Sequence, residues 1–301
     1  KMKSLWKDGE ASQFKNDPLA LRVYTSRLLG KASTLVLHGG GNTSVKADVT
    51  NLFGESEAVL YIKGSGWDLA TIEKPGFAPV KMTALLKMAK LKDLSDSEMV
   101  KAQRAAMTDP NAPNPSVEAI LHALIPYKFV DHTHADAILA LANTQGGRAL
   151  VRRVLGDRLL WIPYLQPGFT LSRRVAEAYR RHPASHGAVL EKHGLITWGP
   201  DGATSYGRTV DYVSRAERFI AGRRKTVSWS AAAHATLPAS ARMEVLRRWL
   251  PAIRRTISRD RKQHLLYVDT PDVLKFVNAA RMPQAARIGP ATPDHLLRTK
   301  R

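Results

Sequence analysis

The chain has no cysteine among its 301 residues, so disulfides and thiolate metal ligands are both excluded, and any bound metal must be held by histidine and carboxylate. Nor does it contain an apolar run of about eighteen residues, the length a bilayer-spanning helix requires. The opening segment Lys1-Met2-Lys3-Ser4-Leu5-Trp6-Lys7-Asp8-Gly9-Glu10 carries no apolar signal core, and the expectation is a soluble, cytoplasmic protein without a membrane partner. Acidic residues are scarce, 26 Asp and Glu against 46 Lys and Arg, which leaves a formal charge of +20. Such a surface attracts phosphorylated substrates, nucleic acid or anionic membranes without specificity. The basic clusters fall late, at Arg223-Arg224-Lys225, Arg247-Arg248, Arg254-Arg255 and Arg259-Asp260-Arg261-Lys262. No aromatic-interleaved platform or nucleic-acid motif accompanies them, so they are read as solvated faces and no nucleic-acid partner is expected.

What is present supports a folded α/β protein. A hydrophobic content of 44% can build a sizeable core in one large domain or two smaller ones. Helical periodicity runs over Pro18 to Leu29, Pro79 to Lys90, Ser116 to Leu124, Ala135 to Asn143, Leu171 to Arg180 and Gly202 to Arg223. Strand-like runs lie at Thr34 to Leu37, Ala58 to Ile62, Phe129 to His134, Leu159 to Ile162 and Gly187 to Thr197, the last able to hold two short strands with Gly194 relaxing the backbone between them. After Lys225 the sequence turns Ser/Ala-rich, then arginine-rich and helical, then Pro-punctuated. This predicts a domain over residues 1–225 and a basic extension over 226–301.

The strongest chemical signal is Asp131-His132-Thr133-His134-Ala135-Asp136. Side chains of a strand alternate, so His132 and His134 project from one face toward a shared point. An isolated His-x-His is more often a pair of ordinary histidines at a core edge. Here a third candidate ligand stands in a second apolar run, His193 before Gly194. Three histidines with an open position describe a catalytic rather than a structural metal, and zinc suits them best.

Three donor-rich turns precede the histidine pair. Gly39-Gly40-Gly41-Asn42-Thr43-Ser44 offers flexible backbone, amides and hydroxyls for an anion, although a plain hairpin turn would look the same, and it matches neither the Walker pattern nor the dinucleotide fingerprint. Lys63-Gly64-Ser65-Gly66-Trp67 repeats that chemistry with a cation. Pro113-Asn114-Pro115-Ser116-Val117-Glu118 runs into a helix, placing Ser116 near free amides, while Glu118 alone reads as an ordinary first-turn acid.

In this order and combination, over roughly residues 20 to 225, these motifs resemble the class II aldolase/adducin family. The resemblance implies a class II aldolase-like α/β fold, a central mixed or antiparallel sheet flanked by helices, here with a helical C-terminal extension. It implies that His132, His134 and His193 bind Zn(2+), that Glu118 is the catalytic acid/base, and that Asn42, Ser65, Gly66 and Ser116 hold a sugar phosphate, with Thr43 beside them. One departure is visible: the usual paired serines before the glutamate are Ser116-Val117. The runs Leu21 to Gly30 and Val130 to Leu141 are similar to the aldolase half of bifunctional rhamnulose-phosphate aldolase/alcohol dehydrogenases. The tail from Gly289 resembles their interdomain connector, and no dinucleotide-binding glycine pattern follows it. That likeness implies a homotetrameric lyase of rhamnose catabolism that releases dihydroxyacetone phosphate from L-rhamnulose 1-phosphate. A pentulose-phosphate 4-epimerase, which in this family usually carries aspartate at the glutamate position, a sugar-phosphate dehydratase, and a non-catalytic adducin-like binding module remain the alternatives.

Overall fold

Runs of β-branched and aromatic residues broken by glycine and proline form seven strands. The computed structural model describes residues 2–223 and 231–299. The strands are β1 (Asn42–Thr50), β2 (Ser56–Lys63), β3 (Phe77–Lys81), β4 (Phe129–Thr133), β5 (Leu159–Ile162), β6 (Gly187–Leu190) and β7 (Gly194–Gly199). They make one sheet in the order β3-β2-β1-β4-β7-β6-β5. All pairings are antiparallel except β5 with β6.

The helices of this unit are α1 (Asp8–Ala11), α2 (Pro18–Gly30), α3 (Met82–Met88), α4 (Asp96–Ala105), α5 (Ala119–Leu124), α6 (Asp136–Ala142), α7 (Gly147–Leu155), α8 (Phe169–Arg181) and α9 (Gly202–Ala221). Their starts follow local chemistry: Asp17 accepts from the Ala20 amide ahead of Pro18, Ser95 and Glu98 form a reciprocal cap, and Asp201 accepts from Thr204. Helices α2, α6, α7 and α9 cover one face of the sheet around Leu35, Val189, Leu195 and Tyr206. Helices α3, α5 and α8 cover the other, around Leu60, Ile62, Ile120, Val130 and Trp198. β4 lies centrally and is buried along its whole length, so whatever it carries is held on rigid backbone.

A buried ion pair pins β4 from the first face. Arg22 of α2 meets Asp131 at 2.6 Å with both side chains fully buried, and Ser205 of α9 donates to the other Asp131 oxygen. Burial pulls the Arg22 guanidinium below its ordinary value, and Asp131 opposes that shift.

Two expected elements differ. Thr34 to Leu37 is not a strand: the carbonyls of Thr34 and Leu35 accept from Asp136 and His134, but the chain then turns through positive φ at His38, Gly39 and Gly41, and the ladder begins only at Asn42. The glycine turn thus precedes its strand. Pro79 to Lys90 is not one helix either, since Pro79 pairs with Tyr61 in β3, at the sheet edge where a missing donor is tolerated, and α3 starts at Met82.

A second unit contains α10 (Ala239–Ile257), α11 (Pro271–Val277) and α12 (Met282–Ile288), with a bridge between Ala232 and Ala279 and an Arg242–Asp269 ion pair at 2.9 Å. The expected boundary at residue 225 lies outside the described residues. The segment from Pro290, which contains α13 (Pro293–Thr299), groups with the first unit. No helix among the described residues is long and apolar enough to cross a membrane.

Candidate metal centre

The period of a strand decides which side chains of β1 and β4 meet. Asn42 pairs with His132, so both face the α5 side, whereas Thr43 pairs with Asp131 and faces the α2 side. His134 follows the last residue of β4, and His193 occupies the turn between β6 and β7, next to Lys192 at φ 56°. Nε2 of His132 lies 3.1 Å from Nε2 of His134 and 3.1 Å from Nε2 of His193. All three rings are buried.

Glu118 closes the cluster. It is the N-cap residue of α5, yet its carboxylate makes no cap; it reaches to 3.6 Å from His132 Nε2 and 3.8 Å from His193 Nε2. Asn42 donates to its Oε2 at 2.6 Å. Among the described residues, the buried Oε1 that faces His193 finds no hydrogen-bond partner.

These residues fit a divalent metal. His132 donates from Nδ1 to the Leu195 carbonyl at 3.1 Å, and His134 donates from Nδ1 to Asp294 at 2.6 Å. Those bonds fix the tautomers and leave two unprotonated Nε2 atoms facing each other, an arrangement that repels unless a cation lies between. Metal–nitrogen bonds of about 2.0–2.1 Å in a tetrahedron put ligand nitrogens roughly 3.3 Å apart. The three ligand atoms here lie within 4.8 Å of one another. Burial lowers the proton affinity of His132 and takes His193 down to about 4, so both rings are neutral ligands at neutral pH. Burial pushes Glu118 up, but the positive charge that His132 and His193 take on in acid, with the Asn42 amide, outweighs it and brings the carboxyl down to about 2. The site therefore pairs neutral imidazoles with an ionised carboxylate.

The three turns converge on it. Lys63 Nζ donates to the Gly39 carbonyl at 2.8 Å, the Ser65 amide to Asn114 at 2.8 Å, and the Ser116 amide to Lys63 at 3.2 Å. Ser65 and Gly66 sit exposed at the tip of their turn, and the Ser116 hydroxyl accepts from the Glu118 amide at 3.3 Å. Thr43 does not join them. Its hydroxyl is bonded to Ser26 at 2.8 Å beneath the opposite face, which removes it from the anion site expected from sequence, because neighbours on a strand cannot share a face. Asn42 spends one amide N–H on Glu118.

Sequence reasoning missed two residues. His122 is buried and bonded to Ser44 at 2.8 Å behind Glu118, and burial drives it down to about 3. Asp294 stands in the returning tail, and nothing in its local sequence signals a partner 160 residues away.

A family model described as "Class II Aldolase and Adducin N-terminal domain" matches residues 20–220, and one described as "Aldolase class II, second domain" matches 244–301. A Bacillus subtilis (strain 168) protein called "Uncharacterized oxidoreductase YuxG" is 38% identical over 301 residues, all of this chain and 44% of that protein. The chain thus spans less than half the length of this relative. Among solved structures, the N-terminal Class II Aldolase domain of a conserved protein from Thermoplasma acidophilum is 41% identical, with a TM-score of 0.68 over 73% of this chain and 100% of that one. A sugar-phosphate aldolase from Thermotoga maritima, 16% identical with a TM-score of 0.53 over 70% of this chain and 98% of that one, shares the fold.

Proposed function

The chain belongs to the class II aldolase and adducin family, and on that premise we propose that it is a zinc-dependent lyase cleaving a ketose 1-phosphate to dihydroxyacetone phosphate and an aldehyde. L-Rhamnulose 1-phosphate is the favoured substrate, on the strength of the sequence likeness around Leu21 to Gly30 and Val130 to Leu141. The observation that carries the reading is Glu118, an ionised carboxylate within 4 Å of two of three converging imidazole nitrogens. Such a group beside a metal can move a proton at a substrate carbon.

Cleavage breaks the bond between carbons 3 and 4 of the ketose. The hydroxyl proton on carbon 4 leaves as the aldehyde forms, the electron pair passes to carbon 3 and the adjacent ketone, and a proton then returns to carbon 3. When bound, the metal supplies a Lewis acid for the developing charge on oxygen. His132, His134 and His193 would hold it, each presenting Nε2. Glu118 moves the proton at carbon 3, and Asn42, donating to Oε2, keeps the Oε1 face of the carboxylate directed into the site. The exposed Ser65-Gly66 turn and the Ser116 hydroxyl hold the phosphate at a distance that fixes carbon 3 relative to Glu118, and buried Lys63, lowered by burial to about 8, adds positive charge beneath them.

Phosphorylated sugars place this reaction in the cytoplasm, as a step of carbohydrate catabolism. Homotetrameric assembly and a place as the aldolase part of a longer two-activity chain rest on the family likeness, the latter supported by the greater length and oxidoreductase name of the Bacillus relative. The test is a coupled assay for dihydroxyacetone phosphate with L-rhamnulose 1-phosphate and L-fuculose 1-phosphate, run beside NMR of ribulose 5-phosphate. Cleavage with rhamnulose phosphate preferred supports the proposal. Conversion of ribulose 5-phosphate to xylulose 5-phosphate without cleavage would make the protein an epimerase, and no chemistry combined with salt-sensitive binding of an acidic partner would make it a binding module.

A further inference from the structure

The metal-ligand ring of His134 is held by a residue from the far end of the chain. Asp294 belongs to the segment that returns to the first unit from Pro290, and its carboxylate is almost fully buried although the segment is short. One oxygen accepts from Nδ1 of His134 at 2.6 Å, and the other accepts from the Leu37 amide at 2.9 Å. Both oxygens are thus spent on the stretch that leads into the glycine turn and on the ring at the end of β4.

The turn is shaped for this carboxylate. A Cβ on Gly40 would lie 1.6 Å from Asp294 Oδ1 and 2.3 Å from its Cγ, so only glycine leaves the space through which the carboxylate reaches His134. The segment has its own anchors: Thr292 is buried and bonded to His295 at 2.6 Å, and Asn143 donates to the Ala291 carbonyl at 3.4 Å. The other ligand ring with a second partner, His132, uses a backbone carbonyl of β7 that is fixed by the sheet. His134, just beyond its strand, has no such support from the sheet. Its orientation depends on the tail.

We propose that Asp294 is a positioning residue for the metal centre: docked through Gly40 and Leu37, it fixes the tautomer and direction of His134, so that the tail from Pro290 completes the centre. An anionic partner on a ligand imidazole strengthens the ligand and typically changes metal affinity by about 10- to 100-fold. The coupling is reciprocal, so metal binding also tightens the docking of the tail.

This inference rests on the three histidines forming a metal centre, and the experiment separates the two. Zinc affinity is measured by chelator competition, and the d–d spectrum of the cobalt-loaded protein is recorded, for the full chain, Asp294→Asn, Gly40→Ala and the double variant. The wild type is expected to bind one zinc per chain. Asp294→Asn should bind roughly 10- to 100-fold more weakly with an altered cobalt spectrum, because asparagine keeps the size of the side chain and loses its charge. Gly40→Ala, which displaces the carboxylate without removing it, should weaken binding similarly, and the double variant should be no worse than either single one. Wild-type protein that binds no metal would refute the centre itself. Normal wild-type binding with affinity and spectrum unchanged in Asp294→Asn would refute the role of Asp294 alone, as would full additivity in the double variant.

Discussion

Substituting Gly194 with alanine should separate the three candidate ligand nitrogens without removing any of their side chains. Gly194 opens β7 directly after His193, where β7 crosses the end of β4. A Cβ there would lie 2.2 Å from the Thr133 carbonyl oxygen and 3.2 Å from both Cα and Cδ2 of His134. The first contact is more than about 1 Å short of ordinary van der Waals distance, and its partner is backbone, which cannot rotate away. Either β7 moves off β4 or the residue shifts along its strand, and in both cases His193 moves with it. His193 and His132 now present nitrogens 3.1 Å apart, so a shift of that size takes one ligand out of bonding range. Overpacking of this kind costs about 1–3 kcal/mol of stability. Metal affinity should fall by at least the 10- to 100-fold typical of a disturbed ligand shell. Gly147→Ala is the control, because its Cβ would also lie 2.2 Å from a carbonyl oxygen, that of Ala142, where α6 meets α7 and neither residue adjoins a histidine of the cluster. Chemical denaturation and chelator competition on both variants decide the matter. Similar losses of stability with metal affinity lost only in Gly194→Ala are expected; equal metal affinity in the two variants would refute the reasoning.

Removing Asp131 by Asp131→Ala leaves the Arg22 guanidinium buried and unpaired, and should cost about 3–5 kcal/mol in urea unfolding, whereas a loss below about 1 kcal/mol would show that the pair does not brace β4. Metal-free protein should lose stability in mild acid. His122 and His193 are held at about 3 and about 4, below their ordinary 6.5, so the unfolded chain binds more protons than the native one once the pH falls below 6.5. Each group then contributes a slope of about 1.4 kcal/mol per pH unit, with stability rising as pH rises. Unfolding midpoints that stay flat between pH 6.5 and 5 would contradict this.

The gathering of His132, His134 and His193 is legible because its signals are local. His-x-His on an apolar run needs only the two-residue period of a strand, and His193 sits beside a glycine whose role the geometry corrects: Gly194 serves close strand approach, and the left-handed turn falls on Lys192. Thr43 follows a run of three glycines that reads as a continuing turn, but Asn42 starts β1 and the next side chain must face away. The Thr34 to Leu37 run is apolar because Leu35 and Val36 are core residues, and burial alone does not distinguish a strand from a buried turn. Arg22 with Asp131, and Asp294 with His134, are long-range pairs made by topology, which no periodicity encodes.

Hydrogen exchange at carbon 3 of dihydroxyacetone phosphate in deuterated water, followed by NMR, tests the central claim most directly, since it isolates the proton transfer assigned to Glu118 and needs no knowledge of the aldehyde. Zinc-loaded wild-type protein should exchange that hydrogen, chelated protein should not until zinc is restored, and Glu118→Gln should retain zinc while exchanging at least about a hundredfold more slowly. Exchange that continues at the wild-type rate in Glu118→Gln, or that is indifferent to the metal, would contradict the account.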